Sequence, residues 1–438
     1  MYRRIALIAS FFLGLLIIGQ PAAAQLNIQS ATQVHSGLSV QHGIAYAARH
    51  DVYLMVYDDR NAGGVRGRFV NAAGTAVGNA FVIGSQAGVA YANDPMVAYS
   101  HDTADDVFFV MYATDRGKAF DGPPSAWIQR VSFTGTGGAL VGNAFLASQG
   151  TYEIPNDIVY NPVTQQFVAA WGRVYGGSAE TDVEVRFFNA NGTAASGAIN
   201  VSNGSWTQNH ARLAVDWETN RIMVAYEGVS PASPSPQQEI LGLWGKVVDG
   251  STGALLTGML TVQSGFALHA VPVFLPERDG FMVAWTAFNP LRDVQARFVS
   301  SATGTVGTMP AGVYTLAGTA RNEDEPMGIY DAISRKVLMA FQSSGACPND
   351  GCAYFDGAVL DAMGAVQSGP FTGLSTAVSP TGATGTYSPD MAVGEGGQFG
   401  FSMAAGYNSN WVQRASWPAA GTPGPIFGGG GPSPNVSA

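Results

Sequence analysis

His210 and His269 each stand just before an apolar run, and the two runs hold the same place in successive copies of a repeated phrase. Imidazoles paired in this way have three uses. As a metal pair they lack an obvious third ligand. As loop residues they need only decorate a polar rim. As sugar contacts or proton-transfer groups they exploit the one side chain that titrates near neutrality without special help. The segments leading into the repeated runs also carry most of the polar and aromatic residues that do not themselves repeat. Ten of these form the predicted binding set: Tyr91, Asp94, Tyr152, Glu153, Trp206, His210, His269, Arg321, Tyr387 and Asp390. Flat aromatics among carboxylates and imidazoles suit a sugar, whose apolar ring faces stack while its hydroxyls hydrogen-bond. The competing explanation is that Asp and Asn before a strand merely satisfy backbone donors.

Two reactions could use such a set. In β-elimination on a uronate, Arg321 would neutralise the carboxylate, His210 or His269 would take the adjacent proton, and Tyr152 or Tyr387 would protonate the leaving oxygen. General acid–base help of this kind is worth roughly 10²–10⁴ in rate. Hydrolysis would need two carboxylates from Asp94, Glu153, Asp157, Glu323 and Asp390, with their separation deciding inverting from retaining chemistry. Neither route calls for a cofactor, and no metal site is expected.

The elements that must position these residues are legible from the repeat. A phrase of roughly 50 residues recurs seven times between Ile44 and Phe427, a period typical of propellers and solenoids. The third copy reads Asp157-Ile-Val-Tyr160, a polar turn, Phe167-Val-Ala-Ala-Trp171, then Val183-Glu-Val-Arg-Phe-Phe188, the turn Asn189-Ala-Asn-Gly-Thr193 and Ala198-Ile-Asn-Val-Ser202. Four strands per copy follow. The second strands end on Tyr57, Tyr112, Trp171, Tyr226, Trp285 and Phe341, with a degenerate seventh at Phe399–Met403. The third strands carry Arg68, Arg130, Arg186, Lys246, Arg297 and Arg414, and only the sixth copy lacks the basic residue. Features that recur this regularly should serve the scaffold, so the aromatics are expected in the core and the cations on neighbouring backbone or carboxylates. The seventh copy has no convincing fourth strand, yet Leu26-Asn-Ile-Gln-Ser30 closely copies Leu260-Thr-Val-Gln-Ser264. The N-terminal segment is therefore expected to supply the missing strand and close a ring.

With these motifs the chain resembles secreted bacterial β-propeller repeat proteins, whose blades read roughly Pro-x-Val-x-Tyr-Asn-Pro, Phe-x-Val-x-Trp and x-x-x-Arg-Val. The resemblance implies an all-β, seven-bladed propeller of four-stranded antiparallel blades; it speaks to fold and not to one activity. First-to-second and third-to-fourth connections are short. Second-to-third connections vary and share a face with the links into the first strands, which makes that face the expected binding surface.

Export is expected from Tyr2-Arg3-Arg4, the apolar run Ile5 to Gly19 and Ala22-Ala-Ala24, the three zones of a cleavable leader spanning residues 1–24. Residues 25–427 then form the propeller and 428–438 a Gly/Pro tail. Cleavage near Ala24 would give a secreted or periplasmic protein without a membrane span. It would also move the formal charge from -10 to about -12. So acidic a chain is a poor partner for nucleic acid. Cys347 and Cys352 are the only cysteines, and an oxidising compartment makes a local disulfide between them the expected state. The function expected is glycan or polysaccharide binding at the variable-loop face, with lyase or hydrolase chemistry at the same mouth as the alternative. A protein-binding scaffold that uses the Pro-rich loops near Pro123 and from Gly228 to Gln238 is the further alternative.

Overall fold

The computed structural model describes residues 26–417 apart from 40, 85–90, 102–103, 116–124, 149–152, 175–180, 203–206, 230–239, 290, 308–311, 345–352, 372–373, 375–385, 395–397 and 406–408. Tyr152, Trp206, both cysteines, the leader and the tail lie outside the described residues, as do the tips of both Pro-rich loops.

Seven antiparallel sheets follow one another along the chain. Blade 4 shows the plan: Thr207–Asp216, Arg221–Val229, Ile240–Asp249 and Leu260–Ser264, each paired with the next. The first strands of the seven blades are His42–Ala47, Tyr91–Tyr99, Glu153–Asn161, Thr207–Asp216, Ala267–Leu275, Asn322–Asp331 and Thr386–Val393. Among the described residues the single helical element is the 3-10 turn Pro276–Arg278, in keeping with the Gly-rich, charge-poor composition.

Second strands are covered on both faces by neighbouring blades, which is why they read as unbroken apolar runs and not as alternations. Val52–Asp59 is buried throughout. The aromatics that end these strands, Tyr57, Tyr112, Trp171, Tyr226, Trp285 and Phe341, are at most 1% exposed, as scaffold residues should be. Packing joins blades as well as strands: Phe109 of blade 2 stacks on Phe167 of blade 3 with centroids 3.8 Å apart.

The repeated cations hold blades to one another. The guanidinium of Arg68 donates to the carbonyl of Val34 at 3.1 Å, that of Arg186 to Ala147 at 3.2 Å and that of Arg297 to Val262 at 2.9 Å, each on or directly after the outer strand of the preceding blade. Arg130 and Arg414 reach the other way, to Ala190 and Ala72. These five therefore have the structural role expected of them, each placing a guanidinium donor on main chain. Arg297→Ala is expected to lower stability by about 1–3 kcal/mol, the usual worth of a charged hydrogen bond. Urea titration with an unchanged slope would check it, and a loss below about 0.5 kcal/mol would deny the latch its role.

Ring closure follows the expected route with one correction of extent. Asn27–Ile28 pairs with the strand Ser409–Ser416 through Asn27↔Ser416, but a longer piece, Thr32–Ser36, pairs with the same strand through Thr32↔Val412. The Gln29 N–H bridges the gap by donating to the Arg414 carbonyl at 2.9 Å. Blade 5 has the same broken outer strand, as Val306–Gly307 and Tyr314–Ala317.

Candidate functional site

All seven first strands line one axial cavity of about 360 Å³. They do not run straight into it. The pairing of first and second strands slips between Asn93 and Met96, Asn209 and Arg212, Leu268 and Val271, and Asp324 and Met327. At the same step of each bulge one non-glycine residue takes a left-handed backbone: Asp94 (φ 50°), His210 (51°), His269 (55°) and Glu325 (49°). Such a conformation costs on the order of 1–3 kcal/mol per residue and survives only where the surroundings over-determine it. A bulge re-aims the side chain it carries. Here it turns four polar side chains into the cavity, two of them the histidines that sequence position had paired.

Buried carboxylates hold both imidazoles. Glu227, at the mouth end of its strand and 1% exposed, accepts from Nδ1 of His210 at 3.0 Å. Its other oxygen accepts the backbone N–H of His269 at 2.6 Å. Asp324 accepts from Nδ1 of His269 at 3.1 Å, and also from the Thr286 hydroxyl at 2.8 Å and the Arg292 guanidinium. An ionised carboxylate only accepts, so each ring carries its proton on Nδ1 and presents Nε2 as a base, without a protein partner among the described residues. The charges reinforce one another. Burial alone would raise Glu227 and Asp324, but the neighbouring imidazoles, and for Asp324 also Arg292, hold both below the ordinary carboxylate range, Asp324 at about 2. Burial disfavours the His269 cation, yet the hydrogen bond and charge of Asp324, with Glu227 and Glu325, more than offset it and raise this histidine.

Two other carboxylates in the wall are clamps. Asp157 accepts the N–H of Ile158 and, across the blade boundary, that of Leu213, both at 2.8 Å. Asp390 repeats this with Met391 and, in blade 1, Ile44, both at 2.9 Å. Burial pushes Asp157 up to about 7 and raises Asp390 as well. Stability should follow. A carboxyl raised in the folded state contributes fully below its unfolded value, near 4, and loses that contribution as pH climbs to the folded value. His269 adds a further loss above about 6.5, whereas Glu227 and Asp324 lose their contributions only in acid. The thermal midpoint is expected to fall from pH 5 toward pH 8, by about 1–4 kcal/mol in stability, with Asp157→Asn flattening the pH 5–7 part. A midpoint rising over that interval would contradict this assignment.

The remaining predicted residues distribute as follows. Asp94 lines the cavity, and its backbone N–H donates to Gln41. Glu153 is buried opposite Arg173 and outside the cavity wall. Arg321 lies 3.6 Å from Asp356, again away from the wall. Tyr91 and Tyr387 fall in first strands, at Tyr91↔Asp115 and Tyr387↔Ala404, and their side chains lie outside what is described. Sequence reasoning missed Glu227, Arg212 and Arg292. A signal for Glu227 existed: directly after the repeated aromatic the copies read Asp58, Ala113, Gly172, Glu227, Thr286 and Gln342, so only two of six copies place an acid there. It also missed an aromatic pair at the rim. Phe266 and Phe288 of blade 5, 44% and 40% exposed, meet edge to face at 4.2 Å, beside the exposed Leu291. The Arg292 guanidinium lies 5.0 Å from the Phe288 ring and links this pair, through Asp324, to His269. Among the described residues no group of three or more His, Cys, Asp or Glu is arranged to hold a metal, and no helix is long and apolar enough to cross a membrane.

No protein-family model and no curated protein sequence matches the chain. Solved structures do. The polysaccharide lyase Uly1 aligns with a TM-score of 0.53 at 9% identity, over 90% of this chain and 100% of the lyase. A protein of unknown function from Dyadobacter fermentans aligns with a TM-score of 0.50 at 11% identity, over 77% of this chain and 99% of its own. At such identities the likeness is one of fold. The chain is a seven-bladed β-propeller, closed by its N-terminal strand and similar in architecture to these two proteins.

Proposed function

We propose that the axial mouth binds a glycan outside the cytoplasm. The observation that carries this reading is the pair of carboxylate-held imidazoles at successive bulges, presenting Nε2 to a cavity beside an exposed phenylalanine pair. Imidazole nitrogens and amides suit hydroxyls, and aromatic faces suit the apolar side of a pyranose. Uly1, a polysaccharide lyase, makes polysaccharides the first class to test. Retention of the purified protein on a panel of acidic and neutral polysaccharides, with each eluate assayed for cleavage, is the experiment. Absence of retention and cleavage across the panel would end the proposal.

Elimination is the second reading, favoured by the tautomers. An Nε2 lone pair can take the proton beside a uronate carboxylate; the carbon–hydrogen electrons then form the new double bond as the glycosidic oxygen departs, taking a proton from water or from the imidazolium just formed. Product absorbing near the ultraviolet edge would report it. Hydrolysis fits less well, because Asp157 and Asp390 are occupied by backbone donors, while Glu153 and Glu323 stand outside the cavity wall. Among the described residues the protein-scaffold reading can draw on the exposed Phe266, Phe288 and Leu291. Export and the Cys347–Cys352 bridge belong to the same proposal. Intact-mass measurement of the exported protein would check both, through the loss of residues 1–24 and of two hydrogen atoms.

A further inference from the structure

Among the described residues Arg212 is the only Lys or Arg in the cavity wall, whose carboxylates are those of Asp94, Asp157, Glu227, Glu325 and Asp390. It sits two residues beyond the His210 bulge, so it lies deeper along the same strand. None of its guanidinium donors has a hydrogen-bond acceptor among the described residues, nor does any carboxylate come within ion-pair distance. The charges of Asp157 and Asp390 act on it through space, while the oxygens of both are turned to backbone N–H groups. Most other guanidinium groups among the described residues meet at least one acceptor: five of the six repeated third-strand positions hold arginines that each donate to a main-chain carbonyl, Arg173 meets Glu184 and Arg292 meets Asp324. A partly buried cation facing a cavity with its donors unspent is poised for a planar or tetrahedral oxyanion, which a guanidinium can engage through two hydrogen bonds at once.

We infer that Arg212 anchors an anionic substituent of the glycan, a uronate carboxylate or a sulfate ester, inside the channel below His210 and His269. The inference rests on the glycan-binding reading and narrows it to acidic glycans. The anionic group reaches Arg212 while the adjoining ring stays level with the imidazoles, and this places the carbon next to a uronate carboxylate in the neighbourhood of Nε2.

The test uses three oligosaccharides with the intact protein in calorimetry: a glucuronate-containing oligosaccharide, its carboxyl-reduced counterpart, and a sulfated galactan fragment. Free glucuronate and inorganic sulfate are titrated separately by thermal shift. Wild type is expected to prefer the uronate over its reduced form by roughly 10- to 100-fold, the worth of a charged hydrogen-bonded contact. R212Q should bring the two to the same affinity, and R212K should retain part of the difference. A gain for the sulfated fragment alone assigns the anchor to sulfate and also supports the inference, provided R212Q removes it. Equal binding of native and carboxyl-reduced forms, with sulfate giving no gain, overturns the anchor and leaves the glycan reading intact. Should no oligosaccharide bind, the glycan reading falls. In that event an Arg212-dependent thermal shift by glucuronate or sulfate would still uphold the anion site, and its absence would overturn both. Circular dichroism and the unligated midpoint of R212Q show whether the variant folds; should it not, R212K carries the comparison, and equal preference in R212K and wild type would count against the anchor.

Discussion

A chain that begins at Gly37, without Leu26–Ser36, is expected to lose at least about 5 kcal/mol of stability and to self-associate. Three physical terms add up here. Leu26 and Val34 are buried in the closing blade, 8% and 3% exposed, and each apolar side chain of that size contributes about 1.5–3 kcal/mol. Arg68 loses its acceptor, the Val34 carbonyl, and Gln413 loses the Gln29 carbonyl. Finally, the strand Ser409–Ser416 becomes an open edge with unpaired main-chain groups, a template for intermolecular pairing. For a domain of this size the thermal midpoint should drop by roughly 6 °C or more. A rescue distinguishes lost closure from simple damage. Because Asn27 lies opposite Ser416 in antiparallel register, residues 26–36 can be moved behind Trp417 through a Gly/Asn turn of about two to four residues. This permutant should recover most of the stability and remain monomeric. A truncated chain that melts with the wild type, without association in size-exclusion chromatography, would refute the role given to this strand.

The second large effect belongs to Glu227, and two substitutions there separate folding from chemistry. Glu227→Ala removes a buried carboxylate that serves two partners, leaving the His269 N–H unpaired and the His210 ring without its anchor. Breaking such an arrangement on one side costs about 3–5 kcal/mol. Glu227→Gln keeps a carbonyl oxygen for the His269 N–H, so stability should stay within about 1–2 kcal/mol of wild type. The amide nitrogen now faces Nδ1 of His210 as a donor, which reverses the tautomer and turns Nε2 from acceptor into donor. Glycan affinity or turnover should then fall at least tenfold, with nitrogen chemical shifts of labelled histidine reporting the proton on Nε2. A Gln variant with normal ligand response would show that the base character of His210 is immaterial, and an Ala variant as stable as wild type would show that Glu227 supports nothing.

Recurrence explains how much of this protein could be read in advance. Every copy of the repeat faces the same two neighbours, so residues under that shared constraint, the aromatics from Tyr57 to Phe341 and the arginines from Arg68 to Arg414, stand out by their period. The equivalence of His210 and His269 was legible for the same reason, as was the copy of a fourth strand at the N-terminus. Arg292 and the Phe266–Phe288 pair were not, because each acts on a residue of another strand and breaks no local pattern, and Glu227 left only the trace of an acid after the repeated aromatic, a place it shares with Asp58. Arg321 shows the converse. Its place before a first strand suggested the mouth, while its side chain turns to Asp356 on the third strand of its own blade.

The amino-acid sequence alone thus determined the number of blades, the closing strand and the scaffold residues, since burial between identical neighbours demands the same residue types at the same spacing. Tertiary structure alone decided which polar side chains face the axis. That choice is made by one-residue slips in strand pairing, which turn Asp94, His210, His269 and Glu325 into the cavity, and by carboxylates that arrive from elsewhere in the fold to hold the imidazoles.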